Sequence, residues 1–203
     1  MTSVVVFGAG GRAGRQILAE AGRRSIEATA VVRDPAKYPD VSGAVAGDAT
    51  DAGLVATAAR GHDVAISAVY GADLDPAAYG EAMAALLRGL ERAEVRRLLL
   101  IGVATTLPGD GGVRRFEEPG FPAEWRPFSQ ARADELTVLE RYDGAVDWVV
   151  LTPAAELIED EGSSGYRIRN SGTALSYTAL ANALLDEVAA DRHHRTQLAI
   201  SGS

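Results

Sequence analysis

The heptapeptide Gly8-Ala9-Gly10-Gly11-Arg12-Ala13-Gly14 decides how the rest of this chain is interpreted. It follows the apolar run Val4–Phe7 and opens a segment of helical periodicity, Arg12–Arg24. Strand, glycine turn and helix in this order predict a dinucleotide site. The first glycine permits a tight turn, the second lets a pyrophosphate approach the backbone, and the last lets helix and strand pack closely. Both GxGxxA and GxxGxxG spacings fit, and a ligand-free turn is the alternative.

The composition fits one domain of ordinary size. The chain has 203 residues, 47% of them hydrophobic, and a net charge of -8. That charge argues against nucleic acid or an anionic membrane as the main partner, although a local basic cluster can still hold an anionic cofactor. The absence of cysteine excludes disulfides and thiolate metal sites. A core strand that starts just after Met1, with no apolar run long enough to span a membrane, predicts a cytoplasmic protein.

Strands and helices alternate along the chain. Apolar runs predict buried parallel strands at Ser3–Phe7, Ala28–Val32, Val41–Ala46, Val64–Ala68, Arg97–Ile101 and Trp148–Leu151. Helical patterns cover Arg12–Arg24, Ala52–Arg60, Pro76–Ala93, Phe128–Tyr142 and Tyr177–Ala190, with a short hairpin at Gly165–Thr173 and a last strand at Gln197–Ile200. The alternation predicts an α/β fold, a Rossmann-type doubly wound parallel sheet in the order 3-2-1-4-5-6 with helices on both faces.

We interpret residues 1–203 as a single dinucleotide-binding domain whose substrate or lid elements lie at about 105–127 and 152–203. The loops 105–127 and 159–172 are rich in glycine, with proline in the first and serine in the second, and follow strand ends where ligands bind. Long loops in compact domains are usually functional lids or disordered. Their position favours lids.

The end of the second strand is basic. Arg33 stands where an NAD-selective site usually offers a carboxylate, and Lys37 follows four residues later. A guanidinium can bind the 2′-phosphate of NADP(H) with two hydrogen bonds, and Arg12 could reach the same group. Asp34 would repel that phosphate if it pointed inward, and a solvated turn is the alternative for these residues. We expect NADP(H) rather than NAD(H).

Two further segments offer cofactor contacts. Asp48, followed by Ala49, could accept a hydrogen bond from the adenine amino group, although a turn or a helix cap explains this aspartate nearly as well. After the fourth strand, Ala68 and Val69 provide small residues beside the cofactor ribose, and Tyr70 is a candidate substrate contact.

Motifs along nearly the whole chain carry a resemblance to a known family. In order they are GAGGRAG, VVRDPAK, GDATD, HDVAISAVYG, RRLLLIGVATTL, FPAEW and VDWVVLTPAA. The chain resembles the atypical short-chain dehydrogenase/reductases with an NAD(P)H-binding domain, close to the NmrA-like and flavin/biliverdin reductase-like proteins. The resemblance implies contacts to the pyrophosphate, the 2′-phosphate, adenine and the nicotinamide. It implies that the pyrophosphate lies against Gly8, Gly11 and Gly14, and that the 2′-phosphate lies at Arg33. It also implies that adenine lies near Asp48, and that the nicotinamide lies near Pro153, Ala154 and Thr106.

The chain departs from the family at the reacting centre. Better-known members use Ser or Thr with Tyr-x-x-x-Lys, in which the lysine lowers the tyrosine pKa so that the tyrosine can give a proton to a carbonyl oxygen. Here Lys37 is the only lysine, and no tyrosine lies between the fifth strand and Tyr142. An acceptor that takes its proton from water, such as a flavin or a quinone, needs no such donor.

Candidate residues for the reacting centre remain in the two loops. Thr106 and Thr105 are candidate catalytic positioning groups, and Trp125 and Phe128 could stack on a planar substrate or merely anchor a lid. His193-His194 is more typical of a solvated helix end than of a metal site, and we expect no metal.

We therefore expect an NADPH-dependent reductase that transfers hydride to a small, planar, conjugated acceptor. Two alternatives stay open: an NmrA-like redox sensor that binds the dinucleotide without turnover, and an isomerase or cyclase built on the same fold. We expect a small-molecule substrate and neither a nucleic acid nor a membrane partner, and we leave a homodimer open.

Overall fold

The computed structural model describes residues 2–70, 78–159, 164–172 and 174–203. An eight-stranded sheet runs through it in the order β3-β2-β1-β4-β5-β6-β10-β8. Its strands are β1 (Ser3–Phe7), β2 (Glu27–Val32), β3 (Val45–Ala46), β4 (Val64–Ser67), β5 (Arg97–Ile101), β6 (Asp147–Pro153), β8 (Tyr166–Ile168) and β10 (Thr196–Gly202). All pairs are parallel except β10 with β8. The predicted order 3-2-1-4-5-6 is confirmed, and two strands extend it.

In the described part of the chain, five helices cover the sheet. They are α1 (Arg12–Arg23), α2 (Ala52–Ala59), α3 (Ala78–Arg92), α4 (Arg126–Arg141) and α5 (Tyr177–Ala190). Successive side chains of a strand point to opposite faces, and β1 shows the result. Val4 and Val6 enter the core beneath α1 and α5, whereas Val5 and Phe7 enter the core beneath α2, α3 and α4. Helices therefore lie on both faces, as the sequence predicts.

Three element boundaries differ from the expectations. The third strand is confined to Val45–Ala46, because the chain turns at Gly43, whose φ of +70° few other residues adopt readily. The part of the expected hairpin that the structure describes, residues 165–172, contributes β8, which pairs antiparallel with β10. A separate two-stranded parallel sheet joins β7 (Leu157–Ile158) to β9 (Leu175–Ser176). The expected start of the third helix at Pro76, and Thr173, lie outside the described residues.

No helix in the described ranges is long and apolar enough to cross a membrane.

The loop between β5 and α4 contains three short 3-10 turns, at Ala104–Thr106, Arg115–Glu117 and Ala123–Trp125. Because parallel strands end at the same edge of a sheet, this loop stands beside the turns that follow β1, β2 and β4. The candidate site lies at that edge.

Candidate active site

The glycine loop is as tightly built as its sequence predicts. Gly8 has a φ of +77°, and a Cβ there would lie 2.6 Å from the carbonyl oxygen of Ala68. A Cβ at Gly14 would overlap the carbonyl oxygen of Gly8, so only glycine lets α1 approach the turn this closely. Gly14 therefore serves helix packing.

The N-terminus of α1 is open to an anion. Gly11 is the residue that precedes the helix, and no side chain caps it. The first N–H groups of a helix have no partner inside the helix, and the helix dipole places partial positive charge there. Backbone donors at Arg12 and Ala13 can therefore bind a phosphate group.

A cleft of about 410 Å³ opens in front of this helix end. It runs from the turn after β2, past the glycine loop, to the turn after β4. The expected site residues that line it are Gly8, Gly10, Gly11, Arg12, Ala13, Arg33, Asp48, Ala49, Ala68, Val69 and Tyr70. The other expected residues do not line it: Gly14, Lys37, Thr105, Thr106, Trp125, Phe128, Pro153 and Ala154.

Arg33 and Lys37, paired in the sequence argument, differ in their surroundings. Arg33 is exposed at the wall of the cleft, and it makes no ion pair with any described residue. The Nζ of Lys37 lies 4.0 Å from the Oδ2 of Asp34, away from the cleft. The other carboxylate oxygen of Asp34 accepts a hydrogen bond from the N–H of Ala36, so Asp34 caps the 3-10 turn that follows β2. Lys37 therefore belongs to a solvated turn, which is the alternative that the sequence left open. Of the two residues, Arg33 is the one that borders the cleft without an ion pair to a described residue.

Tyr38 is a wall residue that the sequence argument missed. Its ring lines the cleft against Gly10, and the guanidinium of Arg15 lies 5.9 Å from the ring centroid. Arg15 also donates to the carbonyl oxygen of Gly10 at 2.7 Å. No sequence signal marks Tyr38, because it reaches the loop across a turn rather than through a strand or helix pattern.

Asp48 is partly committed to its own turn. Its Oδ1 accepts from both the N–H and the hydroxyl of Thr50, at 2.9 and 2.8 Å. This is the turn that the sequence predicts as the alternative to an adenine contact. The second carboxylate oxygen of Asp48 makes no bond to a described residue, so an adenine contact stays compatible with the turn.

The opposite end of the cleft is aromatic. Tyr70 is 68% exposed and packs edge-to-face against Phe128, with ring centroids 5.7 Å apart. Phe128 in turn meets the buried Tyr79, at 6.2 Å and also edge-to-face. The guanidinium of Arg132 lies 5.1 Å from the Tyr79 centroid. Phe128 thus supports Tyr70 from behind, and Tyr70 faces the cleft.

The two threonines after β5 have different environments. Thr106 is buried, donates to the carbonyl oxygen of Val103 at 2.9 Å, and accepts from Nε2 of Gln197 at 2.9 Å. Those bonds favour a structural role over the expected catalytic one. The hydroxyl of Thr105 is buried without a partner among the described residues.

Arg115 and Asn170 connect the two expected lid segments. Arg115 donates to the backbone and side-chain oxygens of Asn170, both at 2.9 Å, and to the carbonyl oxygen of Ala154 at 2.8 Å. Asn170 donates back to the carbonyl oxygen of Pro108 at 2.7 Å. Ala154, expected near the nicotinamide, is therefore tied to both loops. Trp125 stands on the same long loop and is exposed.

An acidic cluster with one histidine lies at the opposite edge of the sheet. Ligand atoms of Asp147, Asp191 and His194 lie within 4.8 Å of one another. The guanidinium of Arg97 is bonded to Asp147 and lies 3.1 Å from Asp191, so a cation already occupies the space among these carboxylates. We interpret this cluster as an ion-pair network.

Comparison with known proteins adds a family to this geometry. A family described as NAD(P)H-binding matches residues 8–192. The protein YwnB of Bacillus subtilis is 29% identical in an alignment 206 positions long, which covers 96% of this chain and 96% of YwnB. A candidate epimerase from Bacteroides thetaiotaomicron has a TM-score of 0.85 at 26% identity, covering 98% of this chain and 96% of its own. A candidate NADH-flavin reductase from Streptococcus pneumoniae has a TM-score of 0.84 at 25% identity, with full coverage of both chains.

The family match spans most of the chain and begins at the first glycine of the loop. The relatives match this chain over nearly the whole length of both, so the likeness is not confined to the N-terminal half. With an uncapped helix end facing a cleft lined by small residues, the chain belongs to the NAD(P)H-binding family of Rossmann-fold, oxidoreductase-like proteins.

Proposed function

We propose that this protein is an NADPH-dependent reductase that transfers hydride to a small, planar, conjugated acceptor such as a flavin or a quinone. One observation carries the proposal: a single cleft has an open helix N-terminus and the unpaired Arg33 at one end and the exposed ring of Tyr70 at the other. Anion-binding groups suit the cofactor, and an exposed aromatic ring suits a planar acceptor. The Streptococcus pneumoniae relative is described as a candidate NADH-flavin reductase, which supports a flavin as the acceptor but names NADH as the cofactor.

In this proposal the cofactor lies along the cleft. The backbone from Gly10 to Ala13 binds the pyrophosphate, and Arg33, with Arg12 beside it, binds the 2′-phosphate. Asp48 and Ala49 bound the adenine. Ala68 and Val69 border the ribose on the nicotinamide side, and Pro153 with Ala154 stands beyond them. Arg12 pairs with Glu159 at 3.5 Å, but both side chains are largely exposed, and such a surface ion pair is weak enough to be exchanged for a phosphate contact.

The bound cofactor supplies a hydride, and no side-chain acid is needed if the acceptor takes its proton from water. Phe128 and Arg132 share the spacing of the family's Tyr-x-x-x-Lys, but neither can replace it. Phe128 has no hydroxyl, and Arg132 is buried with bonds to the carbonyl oxygen of Ile101 at 2.7 Å and to Glu135 at 2.9 Å. Burial raises the pKa of Glu135 and Arg132 opposes that rise, so this pair is a structural one. The chain contributes placement, which can supply a large part of a hydride-transfer rate.

The loop 105–127 and the described loops within residues 152–203 would enclose the acceptor. Arg115 and Asn170 support this part of the proposal, since their hydrogen bonds hold the two loops together beside Ala154. Thr105 is the one threonine we retain as a positioning group, because its hydroxyl is unpartnered among the described residues.

A dinucleotide sensor without turnover is the second candidate. It is favoured by the absence of a Tyr-x-x-x-Lys motif from the sequence. The isomerase alternative is supported by the candidate epimerase from Bacteroides thetaiotaomicron.

One assay separates these functions. The protein is mixed with subsaturating NADPH and a panel of flavins and quinones, and the loss of reduced-nicotinamide absorbance is followed, with Gly11→Ala as the control with weakened cofactor binding. Reduction of a planar acceptor by the wild type, and slower reduction by the variant, is the expected result. Tight NADPH binding with no acceptor reduced contradicts the reductase and supports the sensor.

A further inference from the structure

We propose that Arg15 is a positioning residue that sets the preference of this protein for NADPH over NADH, although its side chain lies outside the cofactor cleft. The inference rests on the proposed function, in which Arg33 binds the 2′-phosphate, and it explains how Arg33 is held in place. Arg15 follows the glycine loop directly and belongs to α1. Its guanidinium contacts the glycine loop, the ring of Tyr38 and the carboxylate of Asp40 at once.

The first of these contacts fixes the peptide group between Gly10 and Gly11. The Nε of Arg15 donates to the carbonyl oxygen of Gly10 at 2.7 Å. The N–H of Gly11, in the same peptide group, donates to the carbonyl oxygen of Gly8 at 3.2 Å. Because Arg15 lies outside the cleft, it keeps the partly negative oxygen of Gly10 away from the phosphates that the following N–H groups bind.

The second contact holds the ring of Tyr38 against the same loop. The ring packs on Gly10 so closely that a Cβ there would overlap it, and the guanidinium carbon of Arg15 lies over the ring, 5.9 Å from its centroid. The quadrupole of an aromatic ring attracts a cation placed over its face. Tyr38 lines the cleft and Arg15 does not, so the ring carries the position of Arg15 to the cleft wall.

The third contact is an ion pair with Asp40. Two guanidinium nitrogens of Arg15 meet the two carboxylate oxygens of Asp40, and one of these bonds is 3.1 Å long. A bidentate pair fixes direction as well as distance. Both side chains are partly exposed, and exposed pairs contribute little to the free energy of unfolding. The pair therefore orients the segment that carries Asp40.

Open space adjoins this ion pair. Arg15 and Asp40 both border a second cavity, of about 510 Å³, between α1 and residues 40–42. Side chains do not fill this gap, so the guanidinium joins the helix to the segment after β2 where continuous packing does not. Without the guanidinium, we expect this segment to move relative to the glycine loop.

Residues 34–41 form a hydrogen-bonded unit directly after Arg33. An aspartate side chain caps the 3-10 turn at its start. The N–H of Tyr38 donates to a carbonyl oxygen of that turn, and the carbonyl oxygen of Tyr38 accepts from the N–H of Val41, both at 3.0 Å. These bonds link the turn to the residues that contact Arg15, so Arg15 holds the unit that positions Arg33.

The two cofactors differ only in the 2′-phosphate, so the two effects of Arg15 can be separated. An ordered glycine loop favours NADPH and NADH equally, because both contain the pyrophosphate. An ordered segment 34–41 favours NADPH alone, because only the 2′-phosphate reaches Arg33 in the proposed arrangement. A binding group held in its bound position raises affinity, since less conformational entropy is lost on binding. Arg15 thus acts on cofactor choice through Arg33.

Dissociation constants for NADPH and NADH, measured by isothermal titration, test the inference. Arg15→Ala should weaken both and lower the preference for NADPH about fivefold, within the range of coupling between residues of one network. Arg15→Lys keeps the charge, but an ammonium cannot reproduce the planar set of bonds to Gly10 and Asp40, so most of the preference should be lost as well.

Arg23→Ala is the matched control for these two variants. It removes another arginine from α1, about two turns further along the helix, and should leave the preference unchanged. Weakening of both cofactors by the same factor in Arg15→Ala, or a full preference in Arg15→Lys, overturns the inference. Equal dissociation constants for the two cofactors in the wild type overturn it too.

Asp40→Ala separates position from charge. The variant removes a negative charge from the same region as the 2′-phosphate site, so a purely electrostatic effect would raise the affinity for NADPH. We expect the opposite, a preference for NADPH about threefold lower, because the segment loses its bond to Arg15. An unchanged or raised preference overturns the inference.

A double-mutant cycle identifies the route of the effect. If Arg15 acts through Arg33, Arg15→Ala should have little further effect on the preference in a protein that already carries Arg33→Ala. Additive effects of the two substitutions overturn the inference. Every readout is binding, so the reductase is judged separately. If binding responds as expected and no acceptor is reduced, the reductase proposal fails and the role of Arg15 stands.

Discussion

The ring of Tyr38 lies directly against Gly10, so close that a Cβ at position 10 would be 2.7 Å from the tyrosine Cζ. The second glycine of the loop therefore has two reasons to lack a side chain, the approach of a phosphate and the packing of Tyr38. A substitution at Gly10 disturbs the wall of the cleft together with the phosphate position. Gly11 separates the two effects, because a Cβ there would meet nothing closer than the carbonyl oxygen of Gly8, at 3.5 Å.

Gly11→Ala should weaken NADPH binding about tenfold or more, equivalent to about 1.4 kcal/mol, because its methyl group obstructs the phosphate and not the protein. Gly22→Ala, in the same helix with open space around it, is the matched control and should leave binding unchanged. Isothermal titration gives both dissociation constants. In the wild type, NADPH at 100 times its dissociation constant should stabilise the fold by about 2.7 kcal/mol. Unchanged binding by Gly11→Ala would mean that the phosphates lie elsewhere.

Arg33→Ala should lose about 1.5–3 kcal/mol of the preference for NADPH over NADH, the scale of a hydrogen bond to a charged group. Lys37→Ala should change the preference far less, because Lys37 lies beside Asp34 and outside the cleft. The measurement is the ratio of the two dissociation constants in each variant. Equal constants for both cofactors in the wild type would contradict the assignment of Arg33.

Thr106→Val should destabilise the protein by about 1–3 kcal/mol, because Val103 and Gln197 each lose a hydrogen-bond partner. Turnover per folded molecule should not change. Thr105→Val should leave the free energy of unfolding unchanged or raise it, since the variant lacks a buried hydroxyl that has no partner among the described residues. Urea unfolding and steady-state kinetics check both variants. Lost turnover in Thr106→Val at full stability would return that threonine to the catalytic role expected from the sequence.

Glu187 should link stability to acid. Burial raises its pKa, but hydrogen bonds from the ring and backbone N–H of His193, and the charge of Arg97, outweigh burial and lower it below the ordinary 4.5. The carboxylate of Glu187 then binds a proton more tightly in the unfolded chain than in the folded protein. Its contribution to the free energy of unfolding is therefore present above about pH 4.5 and is lost as pH falls through the pKa of the folded state. Glu187→Gln should flatten this acid decline, measured as unfolding free energy against pH. Glu27→Gln, at an exposed carboxylate, should decline like the wild type.

Much of the fold follows from local patterns. Val4–Phe7 and the glycines after it require a strand and a sharp turn into a helix, because no other residue tolerates the φ of Gly8 and the approach of α1 at Gly14. Apolar runs separated by helical segments, together with the dinucleotide loop after the first strand, then predict the order 3-2-1-4-5-6 that the structure shows. The pairing of β8 with β10 could not be predicted from local patterns. A strand of three residues with an ambiguous pattern pairs with whichever sheet edge the tertiary structure leaves open.

The sequence by itself determined the dinucleotide loop, the sheet order and the absence of a Tyr-x-x-x-Lys pair. Only the tertiary structure decided which of Arg33 and Lys37 borders the cleft, which threonine hydroxyl is committed to internal bonds, and that Tyr38 packs on Gly10. The physical reason is range. Turn and periodicity rules act between residues within about four positions of one another. The direction of an arginine or a hydroxyl depends on partners such as Gln197, which lies 91 positions after Thr106 and meets it only once the sheet has formed.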